Sequence, residues 1–338
     1  MNIPKIPRRA VWATAVLLAT ALLAVLTLVW MNRPCSKADA RRATVLVVGT
    51  THGELRLDGR PLIFFSTVTG DSLLTDATDT AALAVDTTYA MGCWTHHTAL
   101  WPSCRGRAVT VDTLLGQRLP TDAQRVVACT RRLLEHRIAT TLHDLSELRY
   151  YLRVHGVQDE GYHDIAQLTA SRARQLSRDR RTLAVLDSIA TLKGKLSLSR
   201  VTSYELRQQL ADHSWTVHDC HVEAADTASQ LVLLRLADGR TPQEAKPVVL
   251  PPWTAEAEGE ALAVSLGGIG EGLPFNVQDT LVVVGGQLKG GAHDFPHVLV
   301  SDGAPVFSPS GRFIGMVHGR QIILRDAVRK LIRKGGEQ

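Results

Sequence analysis

Short apolar runs bounded by turn residues lie on either side of a middle stretch in which apolar positions recur with a helical period. The pattern therefore predicts two β regions interrupted by helix. Ala43-Thr44-Val45-Leu46-Val47-Val48 reads as a strand. Glu54-Leu55-Arg56-Leu57, the turn Asp58-Gly59 and Pro61-Leu62-Ile63-Phe64-Phe65 read as a hairpin. Residues 66–80, rich in Thr, Asp and Ser, read as an exposed loop, and residues 81–95 as strand, turn and strand leading to His96 and His97. Between Thr121 and Leu192 the period changes. Val127, Leu134, Thr141 and Leu148 recur every seven residues, interleaved with Ile138, Leu145 and Leu152, which is an amphipathic helix with a coiled-coil seam. Thr121-Asp122 caps its start and Gly156 stops it. After a break at Val157 to Gly161, Asp164 opens a second helix whose apolar face is Ile165, Leu168, Leu176, Leu183, Leu186 and Ala190. Helices of about 30 residues reach roughly 45 Å. Neither can bury its stripe alone, so a long antiparallel hairpin is expected to project from the β region. The plainer alternative lays both helices on the β core.

Short strands then resume at Leu196-Ser197-Leu198, Trp215 to His218, Gln230 to Leu236 and Leu281 to Gly286. Val300 to Phe307, a Ser308-Pro309-Ser310-Gly311 turn and Phe313 to Val317 predict a last hairpin. An amphipathic helix follows over Arg325 to Arg333. At the other end, Ala10 to Met31 is an unbroken apolar run of about 22 residues, long enough to cross a bilayer. It follows Lys5, Arg8 and Arg9, as a signal anchor does. Ala38-Asp39-Ala40 fits a cleavage site but lies beyond Arg33 and Lys37, too far from the run. Asn-Arg-Pro before Cys35 does not fit a lipoprotein site. The expectation is a single-pass membrane protein, its bulk extracytoplasmic and, in a bacterial envelope, periplasmic.

Composition narrows the classes. The 338 residues are 45% apolar and 21% charged, enough for one large or two medium cores. The net charge of +5 comes from scattered arginines, so no nucleic-acid partner is expected. Cys35, Cys93, Cys104, Cys129 and Cys220 have no metal-ligand spacing, though Cys93 and Cys104 could pair. The glycines of 267–272 and 285–291 lack the Lys-Ser/Thr of a phosphate loop. No cofactor and no metal are expected.

The segment Ser301-Asp302-Gly303-Ala304-Pro305-Val306 resembles the nucleophile segment of trypsin-like serine peptidases, Gly-Asp-Ser-Gly-Gly-Pro-Val. Aligned on Pro305, Gly303 and Ala304 take the glycine positions and Asp302 takes that of the serine. Val300, Asp302 and Gly303 would then form the oxyanion region. The family's strand, turn and φ-φ-Thr-Asn-x-His, matched to residues 81–97, puts His96, or His97 after a one-residue shift, at the base position. Its Asp-Leu-Ala-φ-φ-x-Leu, matched to Gln230 to Leu236, puts Gln230 at the acid position, with Asp226 as the fallback. Leu281 to Gly286 matches a φ-φ-φ-Gly strand. Leu145 to Tyr162 resembles the helical insertion of such peptidase-domain proteins of the Bacteroidetes type. The resemblance implies a mainly β fold with an α insertion: a trypsin-like double β-barrel carrying the hairpin, behind an N-terminal transmembrane helix. The expected divisions are 1–42 (stub, anchor and linker), 43–120 (first barrel part), 121–193 (hairpin), 194–320 (remaining strands and second barrel) and 321–338 (C-terminal helix).

Acyl transfer on this fold needs a hydroxyl nucleophile, a histidine, an orienting acid and two convergent amides. A carboxylate at 302 accepts hydrogen bonds but has no hydroxyl to deprotonate. Removing the serine from a comparable triad costs about 10⁶ in turnover and amidating the acid about 10⁴. The resemblance thus implies a pseudopeptidase that binds a protein or peptide through the hairpin or the inter-barrel cleft. The alternative is an active serine endopeptidase using Ser301 with His96 or His97.

Overall fold

The computed structural model describes residues 17–23, 25–26, 35–70, 73–95, 106–112, 119–191, 194–250, 258–267, 275–276 and 278–336. Helix α1 (Lys37–Ala43) starts with a reciprocal cap, in which Ser36 Oγ accepts the Asp39 N–H at 3.0 Å and the Asp39 carboxylate accepts that of Ser36 at 3.4 Å. It runs straight into β1 (Thr44–Leu57), followed by β2 (Arg60–Phe65), β3 (Asp86–Thr95), β4 (Arg107–Val111), β5 (Leu196–Gln209), β6 (Trp215–Asp226) and β7 (Leu231–Leu236). These strands neighbour one another as β2-β1-β3-β4-β7-β6-β5, and β1 also pairs with β5. Setting β2 aside, six strands close a barrel. Numbered by appearance along the chain, their order is 1-2-3-6-5-4.

The second barrel has the same wiring. It consists of β8 (Gly259–Ser265), β9 (Val282–Lys289), β10 (Ala292–His293), β11 (Pro305–Phe307), β12 (Phe313–His318) and β13 (Gln321–Leu324). Its closed order is β10-β13-β12-β11-β8-β9, again 1-2-3-6-5-4. One plan has been used twice.

Two compact units divide the chain: Met1–Gly49, Thr88–Gly116 and Tyr204–Gln338 in one, Thr50–Thr87 and Gln117–Ser203 in the other. In the first, Val45 and Val47 of β1 pack with Trp94, Ala108, Val232 and Leu234. Residues of opposite parity (Leu46, Val48, Cys93, Val109, Leu231, Leu233) join a second cluster with Ala40 and Ala43 of α1. That cluster extends through the second barrel to Val328, Leu331 and Ile332 of the last helix, α4 (Arg325–Gly336). Burial on both faces is why β1 reads as an unbroken apolar run rather than an alternating one.

The second unit contains helices α2 (Ala123–Val154) and α3 (Tyr162–Thr191). The Asp122 carboxylate caps α2 by accepting the Arg125 N–H at 2.9 Å. Val127, Leu134, Thr141 and Leu145 of the expected seam are buried. Arg131 pairs with Asp187 and Arg137 with Asp179, so the helices run antiparallel. Near the base, Leu134, Leu186 and Ile189 pack with Leu55 of β1 and Ile63 of β2, which is the plainer alternative realised locally. Toward the turn burial fades, leaving Tyr150, Val154, Val157 and Leu168 exposed. Leu168, expected on the apolar face, is one of these.

Asp179 is the polar pin of the hairpin. Its carboxylate is 1% exposed and accepts from two guanidinium nitrogens of Arg137 and from Gln175 Nε2. Asp179→Ala leaves those donors unmatched. Full loss of one buried partner costs about 3–5 kcal/mol, but the Arg137 side chain reaches water, so the expected loss is about 2 kcal/mol. Urea denaturation measures it, and a loss below about 0.5 kcal/mol contradicts the assignment.

Several expectations are corrected. Residues 66–80 are not simply a solvated loop, because Leu74 is buried and its N–H donates to Thr130 Oγ1 at 3.0 Å. Residues 81–95 are a short 3₁₀ turn (Ala81–Leu83) and one continuous strand, not two strands. Cys93 is a buried free thiol, and Cys104, its possible partner, lies outside the described residues. Most of the Ala10–Met31 run lies outside the described residues. Residues 17–23 and 25–26 are helical, and no helix among the described residues is long and apolar enough to cross a membrane.

Candidate functional site

In each barrel an excursion separates the third strand from the fourth. In the first it runs from β4 to β5 and carries the hairpin. In the second it runs from β10 to β11 and carries Val300, Ser301, Asp302 and Gly303.

The second of these loops is docked on β3. The Met91 N–H donates to the Asp302 carbonyl at 2.9 Å, and the Gly303 N–H donates to the Val317 carbonyl at 2.8 Å. Gly303 has φ +79°, and a Cβ there would stand 1.9 Å from the Met91 carbonyl oxygen. Only glycine fits both the backbone angle and the space.

The Asp302 carboxylate does not point into open space. Oδ1 accepts the Gly319 N–H at 2.6 Å, and Oδ2 lies 4.0 Å from His318 Nδ1. Ser301 is 3% exposed. Its Oγ is 3.1 Å from Ser265 Oγ, which also accepts the Ser301 N–H. The hydroxyl is therefore directed to β8, as the one-residue shift from position 302 requires. Of the amides expected in the oxyanion region, that of Val300 donates to the Pro296 carbonyl at 3.0 Å and that of Gly303 to Val317. An N–H satisfied within the protein does not converge on a ligand oxygen.

Gln230 precedes β7 at φ +54°, and its carbonyl accepts the Asp112 N–H at 2.9 Å. Asp112 also accepts the Tyr204 hydroxyl at 2.5 Å, and burial, with that bond, pushes the phenol pKa up. Thr110 Oγ1 donates to the Met91 carbonyl at 2.7 Å. The Asp302 loop, Met91, the end of β4 and Gln230 thus lie near one another. Asp226 is turned elsewhere, because its carboxylate accepts Ser229 Oγ at 2.5 Å and the Ala228 N–H at 3.3 Å. The Ser229 bond, opposed by desolvation, holds its pKa below the usual carboxylate value.

His96 and His97 lie outside the described residues. The strand leading to them runs away from Asp302. Gly92, next to Met91, pairs with Thr110, whereas Thr95 pairs with Arg107 at the opposite end of β4. Four residues of strand separate Met91 from Thr95, about 13 Å at 3.3 Å per residue. Among the described residues no cluster of His, Cys, Asp and Glu could hold a metal.

No protein-family profile and no curated protein sequence matches the chain. Solved structures similar to it include Deg5, with TM-score 0.38 and 13% identity over 88% of this chain and 92% of that one. Another is the apo protease domain of MamO from Magnetospirillum magneticum, with TM-score 0.27 and 10% identity over 38% and 74%. A third is an inactive serine-to-alanine mutant of Rv3671c from M. tuberculosis H37Rv, with TM-score 0.27 and 13% identity over 40% and 71%. The assignment of the architecture rests on the wiring itself. Two antiparallel barrels of identical strand order give this chain the double-barrel fold of trypsin-like serine peptidase domains.

Proposed function

We propose that the chain is a pseudopeptidase: a trypsin-like homologue without hydrolytic activity, held to a membrane by residues 10–31, with its bulk extracytoplasmic, and acting by binding a protein or peptide. The observation that carries this reading is the Asp302 carboxylate, which stands at the serine position and is engaged by the Gly319 N–H. A carboxylate there cannot form the acyl intermediate by the serine route, and its charge opposes an oxyanion developing beside it. Gln230 at the acid position adds to the argument, because a side-chain amide carries no charge with which to hold and stabilise an imidazolium.

Binding needs none of these groups. Strand addition in the inter-barrel cleft relies on backbone hydrogen bonds. The hairpin turn offers exposed Tyr150 with the Arg153 guanidinium 6.0 Å from its ring centre, beside exposed Val154 and Val157. Tyrosine and arginine are enriched where protein interfaces concentrate their energy. A test is turnover of a quenched fluorescent peptide library by the full chain in detergent. Turnover equal to that of Ser301→Ala is expected. Hydrolysis that Ser301→Ala abolishes favours the active endopeptidase instead.

A further inference from the structure

His293, at the end of β10, stands at the start of the segment that ends in Asp302, and both of its ring nitrogens are engaged. The Phe295 N–H donates to Nδ1 at 3.2 Å, so Nδ1 carries no proton. The proton of the neutral ring is then on Nε2, which lies 3.0 Å from the Gly319 carbonyl oxygen and donates to it. Gly319 is also the residue whose N–H is held by Asp302 Oδ1. One peptide turn between β12 and β13 is thereby tied at its carbonyl to His293 and at its amide to Asp302. Phe295, two residues on, is 2% exposed and anchors in the core, and Pro296 then accepts the Leu299 and Val300 amides.

We propose that His293 is a proton-responsive latch on residues 294–302, closed when its imidazole is neutral and released when Nδ1 is protonated. The incoming proton occupies the lone pair that the Phe295 N–H uses. Two N–H groups then face each other, and the turn leading to Val300 and Asp302 loses its first tie.

The charged and titratable surroundings are His297, with ring centres 6.1 Å apart, Asp294 and Asp302. His318 faces the same Asp302 carboxylate from β12, and the Arg320 carbonyl accepts the His293 N–H at 3.2 Å. Burial holds the His293 pKa below the ordinary imidazole value. The hydrogen bond to Gly319 opposes that shift, His297 adds to it, and the two aspartates oppose it. A group whose pKa is lower folded than unfolded contributes stability above its unfolded pKa, near 6.5, and loses it as pH falls through the folded value. Release therefore belongs to the mildly acidic side. The inference holds whether or not the domain hydrolyses peptides.

Hydrogen exchange on the full chain tests it, read at the Phe295, Leu299 and Val300 amides at about pH 7.5 and about pH 5.5 and corrected for chemical exchange. Protection is expected to fall at least about fivefold in the wild type. The fall should be under about twofold in His293→Gln, whose amide donates and accepts but does not titrate, and should persist in His297→Gln and His318→Gln. No fall in the wild type, an unchanged fall in His293→Gln, or its disappearance in either other variant overturns the proposal. If His293→Gln proves unstable, the ring ¹⁵N shifts of wild-type His293 serve instead. Their midpoint must coincide with the loss of protection, and separate midpoints overturn the latch.

Discussion

Asp302→Ser is expected to produce a less stable protein and no peptidase. Restoring the hydroxyl supplies one of four requirements. The residue that the resemblance puts at the acid position is Gln230, and the Val300 amide remains bonded to Pro296. Triad members act as a unit, so a serine without its orienting acid recovers little of the roughly 10⁶ that the triad contributes. The same change removes the acceptor of the Gly319 N–H. Hydrogen bonds to charged groups contribute about 1.5–3 kcal/mol when well shielded. The Asp302 side chain is 32% exposed, so the expected loss is about 1 kcal/mol. Asp302→Asn keeps an acceptor oxygen and should lose less. Urea midpoints of the three proteins decide the stability half, and peptide turnover decides the other.

Gly303→Ala should have a still larger effect. The φ of +79° alone costs an alanine about 1 kcal/mol, and the new methyl would meet the Met91 carbonyl at 1.9 Å, where backbone on both sides must move. A loss of at least about 3 kcal/mol is expected. Gly59→Ala is the control, because φ is +84° but nothing lies within 4 Å of the added Cβ. Its cost should stay near 1 kcal/mol. Equal losses in the two variants would mean that the Asp302 loop is not pressed against β3.

How legible this was in the sequence depends on how local each signal is. The hairpin seam was legible because Val127, Leu134 and Thr141 repeat on one helical face whatever surrounds them. The turn at Gly303 and the strand after it were legible because Gly303, Ala304 and Pro305 keep the spelling of a tight turn before a strand. The two-strand reading of residues 81–95 failed for a physical reason. Asp86, Thr87 and Thr88 are exposed residues of a strand, and a solvated strand end is as polar as a turn. Without the pairing of Thr95 with Arg107, nothing in the residues themselves shows that β3 is continuous. The second barrel was harder still. β10 is two residues long, too short to leave a period, and its place between β9 and β13 is fixed by pairing alone. The ties of Gly319 to Asp302 and His293 join residues from three segments and leave no pattern in any of them.

The most direct measurement is covalent: the full chain is incubated with a fluorophosphonate, which reacts only with a serine activated by a base, and the adduct is mapped by mass spectrometry. No labelled serine is expected in the wild type or in Asp302→Ser, against full labelling of an active serine peptidase treated alongside. Stoichiometric modification of Ser301, lost in Ser301→Ala, would contradict the account.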